Sequence, residues 1–195
     1  MKKPGGTAGS YGAWRRKTFL HFVLFFKLYS LFQRSDTMTK TNAMRLLEAA
    51  KIPFEVLEYP VDESDLSGES VARKTGKAPE QIFKTLVFGG DKNGFGVCCI
   101  PTCEELDLKK AAKVFGEKKI EMLHVKDLLK TTGYIRGGCS PVGMKKQFPT
   151  VIDETAVLFD KIYVSAGVRG TMLGVEPNAL AEYVNAKFAD VTAVE

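Results

Sequence analysis

Hydrophobic and polar residues recur with two different periods after residue 38, and these periods predict short helices and short strands. Ala43, Leu46 and Leu47 fall on one face of a helix that Thr41 can cap at its start. This helix must end before Pro53, because the residue preceding a proline avoids helical geometry. Comparable patterns predict four more helices, at 67–76, 107–115 and 125–130 and after residue 176.

Strand-like segments lie between the predicted helices. They cover residues 54–59, 83–88, 95–100, 150–152, 161–165 and 188–191. The sequence GGDKNG, at 89–94, is rich in residues that tolerate positive φ and predicts a hairpin between two of these strands. Hairpins mixed with helices are not typical of a doubly wound parallel sheet. The expected fold is therefore an α/β domain with a mixed sheet.

The first 37 residues differ from the rest in charge and in pattern. They carry a net charge of +6, whereas the remaining residues carry −1 of the chain's total of +5. Their apolar run, residues 19–32, is shorter than the ~20 residues that span a bilayer, and no secretory cleavage site follows it. The segment is either an interfacial membrane anchor or an extension upstream of a true start at Met38. We expect an extension, residues 1–37, outside a single domain at 38–195, with no stable membrane partner.

The four cysteines do not form a metal-binding pattern. Cys98, Cys99 and Cys103 crowd one strand-like segment, Cys139 stands alone, and no second Cys pair completes a zinc set. Reduced thiols of an intracellular protein are the simplest interpretation. We expect neither a metal nor a cofactor.

Known catalytic motifs are absent, and three unusual segments remain. No G-x-S-x-G, phosphate-loop or dinucleotide-binding pattern is present, and His124 is the only histidine after residue 38. The segment 133–143 holds four glycines and a proline, which can turn backbone N–H groups toward an anion. Lys84 interrupts an apolar strand, and 165–170 is a small-residue turn with one arginine, Arg169. Each segment is also compatible with a purely structural role. The two glycine-containing segments can be tight turns, and Lys84 can extend its ammonium to solvent at the edge of the strand.

Four segments in the same order resemble the YbaK/EbsC aminoacyl-tRNA deacylases, and the likeness extends from about Thr41 to Val191. The segments are FKTL at 83–86, LDLKKAAK at 106–113, TGYIRGGCSPVGMKK at 132–146 and IYVS at 162–165. The resemblance implies the fold of the editing insertion of bacterial prolyl-tRNA synthetases, a mixed, barrel-like sheet surrounded by helices. It also implies a freestanding enzyme that removes cysteine from mischarged Cys-tRNA(Pro).

The resemblance also implies roles for individual residues. Lys84 is expected to hold the aminoacylated 3′ end through its charge. The loop 137–141, with Gly137, Gly138 and Ser140 as catalytic residues, is expected to surround the ester. The expected substrate-binding residues are Tyr59, Pro141, Ser165 and Arg169. The chain departs from the family pattern at Cys139, at Met172 and around Leu66, where a pocket aromatic residue is missing.

The implied chemistry needs few protein groups, because the thiol of the bound cysteine attacks its own ester and forms a cyclic thiolactone. Two alternatives remain open, namely a thiol enzyme with Cys139 as nucleophile and a non-catalytic tRNA-binding module. A nearly neutral domain can bind a polyanion only through local clusters of bases. We expect these to be Lys109, Lys113, Lys145 and Lys146. Prolyl-tRNA synthetase is a candidate protein partner, and the expected location is the cytoplasm.

Overall fold

The computed structural model describes residues 39–193, and the extension expected at 1–37 lies outside this range. The helices are α1 (Asn42–Ala49), α2 (Gly68–Thr75), α3 (Leu108–Phe115), α4 (Val125–Thr132) and α5 (Pro177–Val184), with short 3-10 turns at Pro79–Gln81 and Glu154–Leu158. The strands are β1 (Phe54–Glu58), β2 (Phe83–Gly90), β3 (Phe95–Pro101), β4 (Ile120–Met122), β5 (Thr150–Asp153), β6 (Ile162–Ser165), β7 (Thr171–Val175) and β8 (Ala186–Ala189).

Side chains and glycines fix the helix boundaries close to their predicted positions. Thr41 and Ser67 each accept a backbone N–H of the first turn, of α1 and α2 respectively. Asp107 does the same for two amides of α3. Gly76 and Gly133 end α2 and α4 in the left-handed conformation, which glycine adopts without a steric penalty. The five helices predicted from the pattern are therefore confirmed.

The strands form two sheets of mixed direction. One sheet has the order β1-β7-β6 and is antiparallel throughout, and the other has the order β4-β2-β3-β5-β8. In the second sheet β5 runs parallel to both β3 and β8, while β2 pairs antiparallel with β3 through the predicted hairpin. The α/β class with a mixed sheet is confirmed. The pattern did not predict β4 or β7, and it placed the last strand two residues too late.

The barrel-like closure implied by the resemblance is not confirmed, because within residues 39–193 no sheet closes on itself. The two sheets are linked by one parallel bridge between Ile82 and Tyr163. This pairing cannot extend to the far end of β2, since β4 pairs with the same edge from Phe88 to Gly90. The edge of β2 is thus divided between two partners, and both sheets remain open.

The main hydrophobic core packs α1 and α5 against strands of both sheets. Its fully buried members include Leu47, Phe83, Val97, Ile152, Val164, Leu173 and Leu180. Burying side chains of this size stabilises the fold by about 1.5–3 kcal/mol each, so this core fixes the positions of the strand ends that carry polar residues. In residues 39–193 no helix is both long and apolar enough to cross a membrane.

Asp153 is a buried carboxylate that ties the end of β5 to the C-terminal segment. One of its oxygens accepts bonds from the amide and hydroxyl of Thr155, and the other accepts the amide of Val191 at 3.1 Å. We predict that Asp153→Ala lowers the free energy of unfolding by about 2–3 kcal/mol, because buried donors lose a charged acceptor. Urea denaturation measures this, with the exposed Asp160→Ala as control. Equal stability of the two variants would contradict the prediction.

Candidate functional site

Lys84 lies two residues after the bridge that joins the sheets. Its ammonium is 3.4 Å from the carbonyl oxygen of Thr102 and 3.2 Å from a carboxylate oxygen of Glu105. The lysine side chain is 26% exposed and that of Glu105 is 86% exposed. An ion pair with so exposed a partner contributes little in water. The Lys84 ammonium can therefore exchange Glu105 for a more strongly charged anion at a small cost in free energy.

The strand register places Lys84 and Ser165 on one face. Ile82 and Tyr163 are bridged, and alternate residues of a strand share a face. Lys84 therefore lies on the same face as Ile82, and Ser165 lies on the same face as Tyr163. Met172 lies opposite Ser165 in the β6–β7 ladder. Tyr59, which directly follows β1, packs with Ile82, Tyr163 and Met172 in one small apolar cluster. Lys84, Ser165 and the predicted pocket residue Tyr59 therefore lie on the same side of the sheets.

The glycine loop, residues 133–143, packs directly on the turn that follows β6. A Cβ atom added to Gly138 would lie 3.2 Å from the backbone carbon of Val168, which is tighter than an ordinary contact. Gly137 has φ +81°, in the left-handed region. The loop approaches the turn this closely because Gly138 lacks a side chain, while Gly137 permits the left-handed backbone beside it.

Some polar groups of the glycine loop form hydrogen bonds within the loop, and others have no described partner among residues 39–193. Ser140 is fully buried, and its hydroxyl oxygen accepts the amide of Val142 at 3.2 Å. The amide of Gly138 donates to the carbonyl of Ile135. No described hydrogen bond of residues 39–193 is donated by the backbone amides of Gly137, Cys139 or Ser140. These three are the candidate donors to an oxyanion, whereas the Ser140 hydroxyl stabilises the turn.

Arg169 connects three segments around a small cavity of about 40 Å³. Its Nε donates to the carbonyl of Arg136 and its Nη1 to a carboxylate oxygen of Glu63, both at 3.0 Å. Tyr59, Gly137 and Arg169 all line the cavity. The structure therefore brings together three of the residues that the resemblance singled out. Two of the Arg169 donors are committed to the protein, which sequence reasoning did not foresee.

Tyr134 closes the glycine loop, and sequence reasoning gave it no role. Its hydroxyl donates to the carbonyl of Val142 at 2.6 Å, across eight residues. Its ring packs against Gly167 of the turn that follows β6, where an added Cβ would come within 2.8 Å of the ring. The only available signal was a tyrosine directly after the glycine that ends a helix, which alone does not identify a contact.

The four lysines expected to bind tRNA are not equivalent. The ammonium of Lys145 donates to the carbonyl oxygens of Leu129 and Lys130 at 3.2 and 3.4 Å. It therefore caps the C-terminal end of α4, where a positive charge is favoured by the helix dipole. Lys109, Lys113 and Lys146 are exposed, and none of the described salt bridges of residues 39–193 involves them.

Cys139 lies beside the candidate oxyanion donors, but its thiol is poorly nucleophilic. Burial raises the pKa of its thiol to about 12, against the smaller opposing effect of a hydrogen bond with Thr132. The thiolate is the nucleophilic form of cysteine, so a thiol that stays protonated at neutral pH is a poor nucleophile. The described residues contain no cluster of His, Cys, Asp or Glu that could hold a metal ion.

Residues 64–183 match the model of the aminoacyl-tRNA editing domain, and the chain belongs to this family. It is also similar to EbsC of Enterococcus faecalis, a protein named for a proposed Cys-tRNA(Pro)/Cys-tRNA(Cys) deacylase activity. The two are 52% identical over 162 residues, which make up 83% of this chain and 99% of EbsC.

Solved structures carry the same fold. The crystal structure of a proposed trans-editing enzyme for prolyl-tRNA synthetase is 25% identical to this chain, with a TM-score of 0.69. The match covers 80% of this chain and all of the other. A hypothetical protein of known crystal structure matches with a TM-score of 0.70 at 22% identity, over 76% of this chain and 97% of its own.

The raised pKa of Cys139 predicts slow alkylation. At pH 8 a thiol with a pKa of about 12 is ionised to only about one part in ten thousand, so iodoacetamide should modify the exposed Cys103 well before Cys139. Mass spectrometry of peptides from the folded protein measures the order. Urea-unfolded protein, in which all four cysteines should react, is the control. Alkylation of Cys139 as fast as that of Cys103 would contradict the prediction.

Proposed function

We propose that the protein is a trans-editing deacylase that removes cysteine from mischarged Cys-tRNA(Pro). Membership of the aminoacyl-tRNA editing family and the identity to EbsC over nearly its full length support this assignment. The observation that carries it is that Lys84, whose exposed ion-pair partner is easily displaced, and the polar strand end at Ser165 lie on one face of the sheets. An enzyme acting on a negatively charged ester substrate requires such a combination.

The proposed chemistry needs few groups that transfer protons, and the two carboxylates that line the cavity, Asp62 and Asp65, accept hydrogen bonds from Ser64 and Ser67. The sulfur of the bound cysteinyl group attacks its own carbonyl carbon, the ester bond to the terminal ribose breaks, and the ribose oxygen takes up a proton. The products are free tRNA and a cysteine thiolactone, which water then opens. Because the nucleophile belongs to the substrate, the protein has two tasks, to orient it and to stabilise the oxyanion.

Each part of the site has a role in this scheme. Lys84 exchanges Glu105 for a phosphate near the 3′ end of the tRNA. The amides of Gly137, Cys139 and Ser140 donate to the carbonyl oxygen as it becomes negative. Tyr59 and Ser165 border the space for the amino acid, while Gly138 and Pro141 shape the loop and Arg169 holds it against its neighbours.

The tRNA body is bound by exposed bases in this proposal. Lys109 and Lys113 lie four residues apart on α3 and so share a helix face, and Lys146 follows the glycine loop. Lys145 contributes its positive charge from the end of α4. Contacts this few give modest, salt-dependent affinity. Prolyl-tRNA synthetase is the proposed partner that adds specificity, and the cytoplasm, where charged tRNA is used, is the proposed location.

The thiol-enzyme alternative has less support than substrate assistance, because the pKa of Cys139 is raised rather than lowered. The alternative of a non-catalytic tRNA-binding module is tested directly by incubating Cys-tRNA(Pro) with excess enzyme. Absence of deacylation under these conditions would refute the proposed function.

Replacing Lys84 should abolish deacylation without loss of the fold. We expect Lys84→Ala to reduce the single-turnover rate on Cys-tRNA(Pro) at least ~100-fold, since one charged contact to the reacting end is worth about 2.7–4 kcal/mol. Lys110→Ala is the matched control, because Lys110 is 29% exposed and also pairs with a carboxylate, that of Asp190. Loss of activity in both variants, or in neither, would show that Lys84 is not the functional lysine.

A substrate without a free thiol should not be deacylated. We expect S-methylcysteinyl-tRNA(Pro) and seryl-tRNA(Pro) to react at least ~100-fold more slowly than Cys-tRNA(Pro), because the attacking sulfur is blocked or replaced. Gel analysis of acylated and free tRNA measures the rates, and competition against Cys-tRNA(Pro) verifies that both analogues bind. Rapid hydrolysis of the S-methylated substrate would indicate an activated water instead of substrate assistance.

A further inference from the structure

Tyr134 makes a side-chain hydrogen bond that closes the glycine loop, inside the backbone bond from the amide of Lys145 to the carbonyl of Thr132 at 2.9 Å. Gly133 ends α4, Tyr134 follows it, and the Tyr134 hydroxyl reaches the carbonyl of Val142 at 2.6 Å. The tyrosine amide is itself held by the hydroxyl of Thr132 at 3.0 Å. Burial raises the pKa of the Tyr134 hydroxyl above its usual range, so it is protonated and can donate at neutral pH. The residues between 134 and 142, which include all three candidate oxyanion donors, are therefore closed into a ring.

The same side chain also sets the distance from the loop to the turn after β6. A Cβ added to Gly167 would lie 2.8 Å from the Cε1 atom of Tyr134, and one added to Gly143 would lie 3.1 Å from its hydroxyl oxygen. Both glycines have positive φ, +93° and +78° respectively. The amide of Gly167 donates to the hydroxyl oxygen of Ser165 at 3.2 Å. One ring thus contacts both the loop with the donors and the turn that orients Ser165.

We propose that Tyr134 is a positioning residue for deacylation, which holds the amides of Gly137, Cys139 and Ser140 at a fixed distance from the substrate-facing end of β6. The inference rests on the proposed function and extends it to a residue that need not touch the substrate. Its effect is on geometry, because hydrogen-bond donors to an oxyanion act only over a narrow range of distance. A displacement of about 1 Å in such a site can reduce the rate about 100-fold.

A positioning role and a merely structural role predict different kinetics. Tyr134→Phe keeps the ring between the two glycines and removes the hydroxyl, with its bond to Val142 and its contact with the Asn42 side chain. We expect the saturating single-turnover rate on Cys-tRNA(Pro) to fall at least ~10-fold, with the Kd for the tRNA unchanged within about two-fold, because the loop meets the ester and not the tRNA body.

Tyr163→Phe is the matched control. Tyr163 is also buried, and its hydroxyl donates to a carboxylate oxygen of Glu55 at 2.7 Å; the variant removes this atom and keeps the ring and the backbone bridge to Ile82. We expect this variant to lose stability but to keep its saturating rate within about two-fold. If the two variants lose rate equally, or if Tyr134→Phe keeps the wild-type rate, Tyr134 has only a structural role.

Two further measurements keep the inference testable if the first variant folds poorly or the enzyme acts on another substrate. Gly167→Ala, at a position with positive φ, would press on the ring while the hydroxyl group itself is retained, and it should lower the saturating rate in the same way. Hydrogen exchange at the amides of Gly138 and Val142, which donate to Ile135 and Ser140 within the loop, should accelerate at least ~10-fold in Tyr134→Phe and not in Tyr163→Phe. Unchanged exchange would overturn the inference, whereas failure of the wild-type protein to deacylate Cys-tRNA(Pro) would overturn the proposed function instead.

Discussion

The bridge between Ile82 and Tyr163 is the contact on which the arrangement of the site depends. Two sheets with different strand directions meet there, and no other strand pairing joins them within residues 39–193. Because side chains alternate along a strand, this one pairing decides which residues of β2 and β6 face the same way. It brings Lys84 and Ser165, which are 81 positions apart in sequence, to one surface. The core beneath them keeps both strand ends in place.

The polar groups around this surface are mostly engaged in hydrogen bonds or ion pairs within the protein. The hydroxyls of Ser140 and Ser165 accept bonds from nearby amides, and Arg169 bonds a carbonyl and a carboxylate. Such a site is preorganised rather than reactive, because its polar groups are fixed before a substrate arrives. It suits a reaction in which the substrate supplies its own nucleophile. It does not suit one that requires the protein to generate a strong base.

Local features of the fold were predictable from the sequence, and contacts between distant segments were not. Thr41, Ser67, Asp107 and the glycines after the helices act within one turn of the chain, so their pattern predicts the helix ends. The strand β4 was missed because it is only three residues long. The strand β7 was missed because it contains a glycine, Gly174, and directly follows a turn that ends in a glycine. For strands this short, pairing with neighbours outweighs local preference.

The candidate site was likewise predictable from the sequence only in part. The positions of Lys84 and the glycine loop could be inferred from unusual residue types and from a family resemblance. The bonds of Arg169 to Arg136 and Glu63, and of Lys145 to the end of α4, depend on side chains that meet only after folding. No spacing in the sequence encodes them. This is why Arg169 and Lys145 were expected to contact substrate, although both have partners within the protein.

The buried thiol of Cys139 has a consequence for the durability of the enzyme. A thiolactone is an acylating agent, and a cysteine beside the place of its formation would be the first group to receive the acyl chain by thioester exchange. Exchange requires a thiolate, and burial raises the pKa of Cys139 to about 12. In the proposed reaction, the protein would therefore release a reactive product next to its own sulfur without inactivating itself at each turnover.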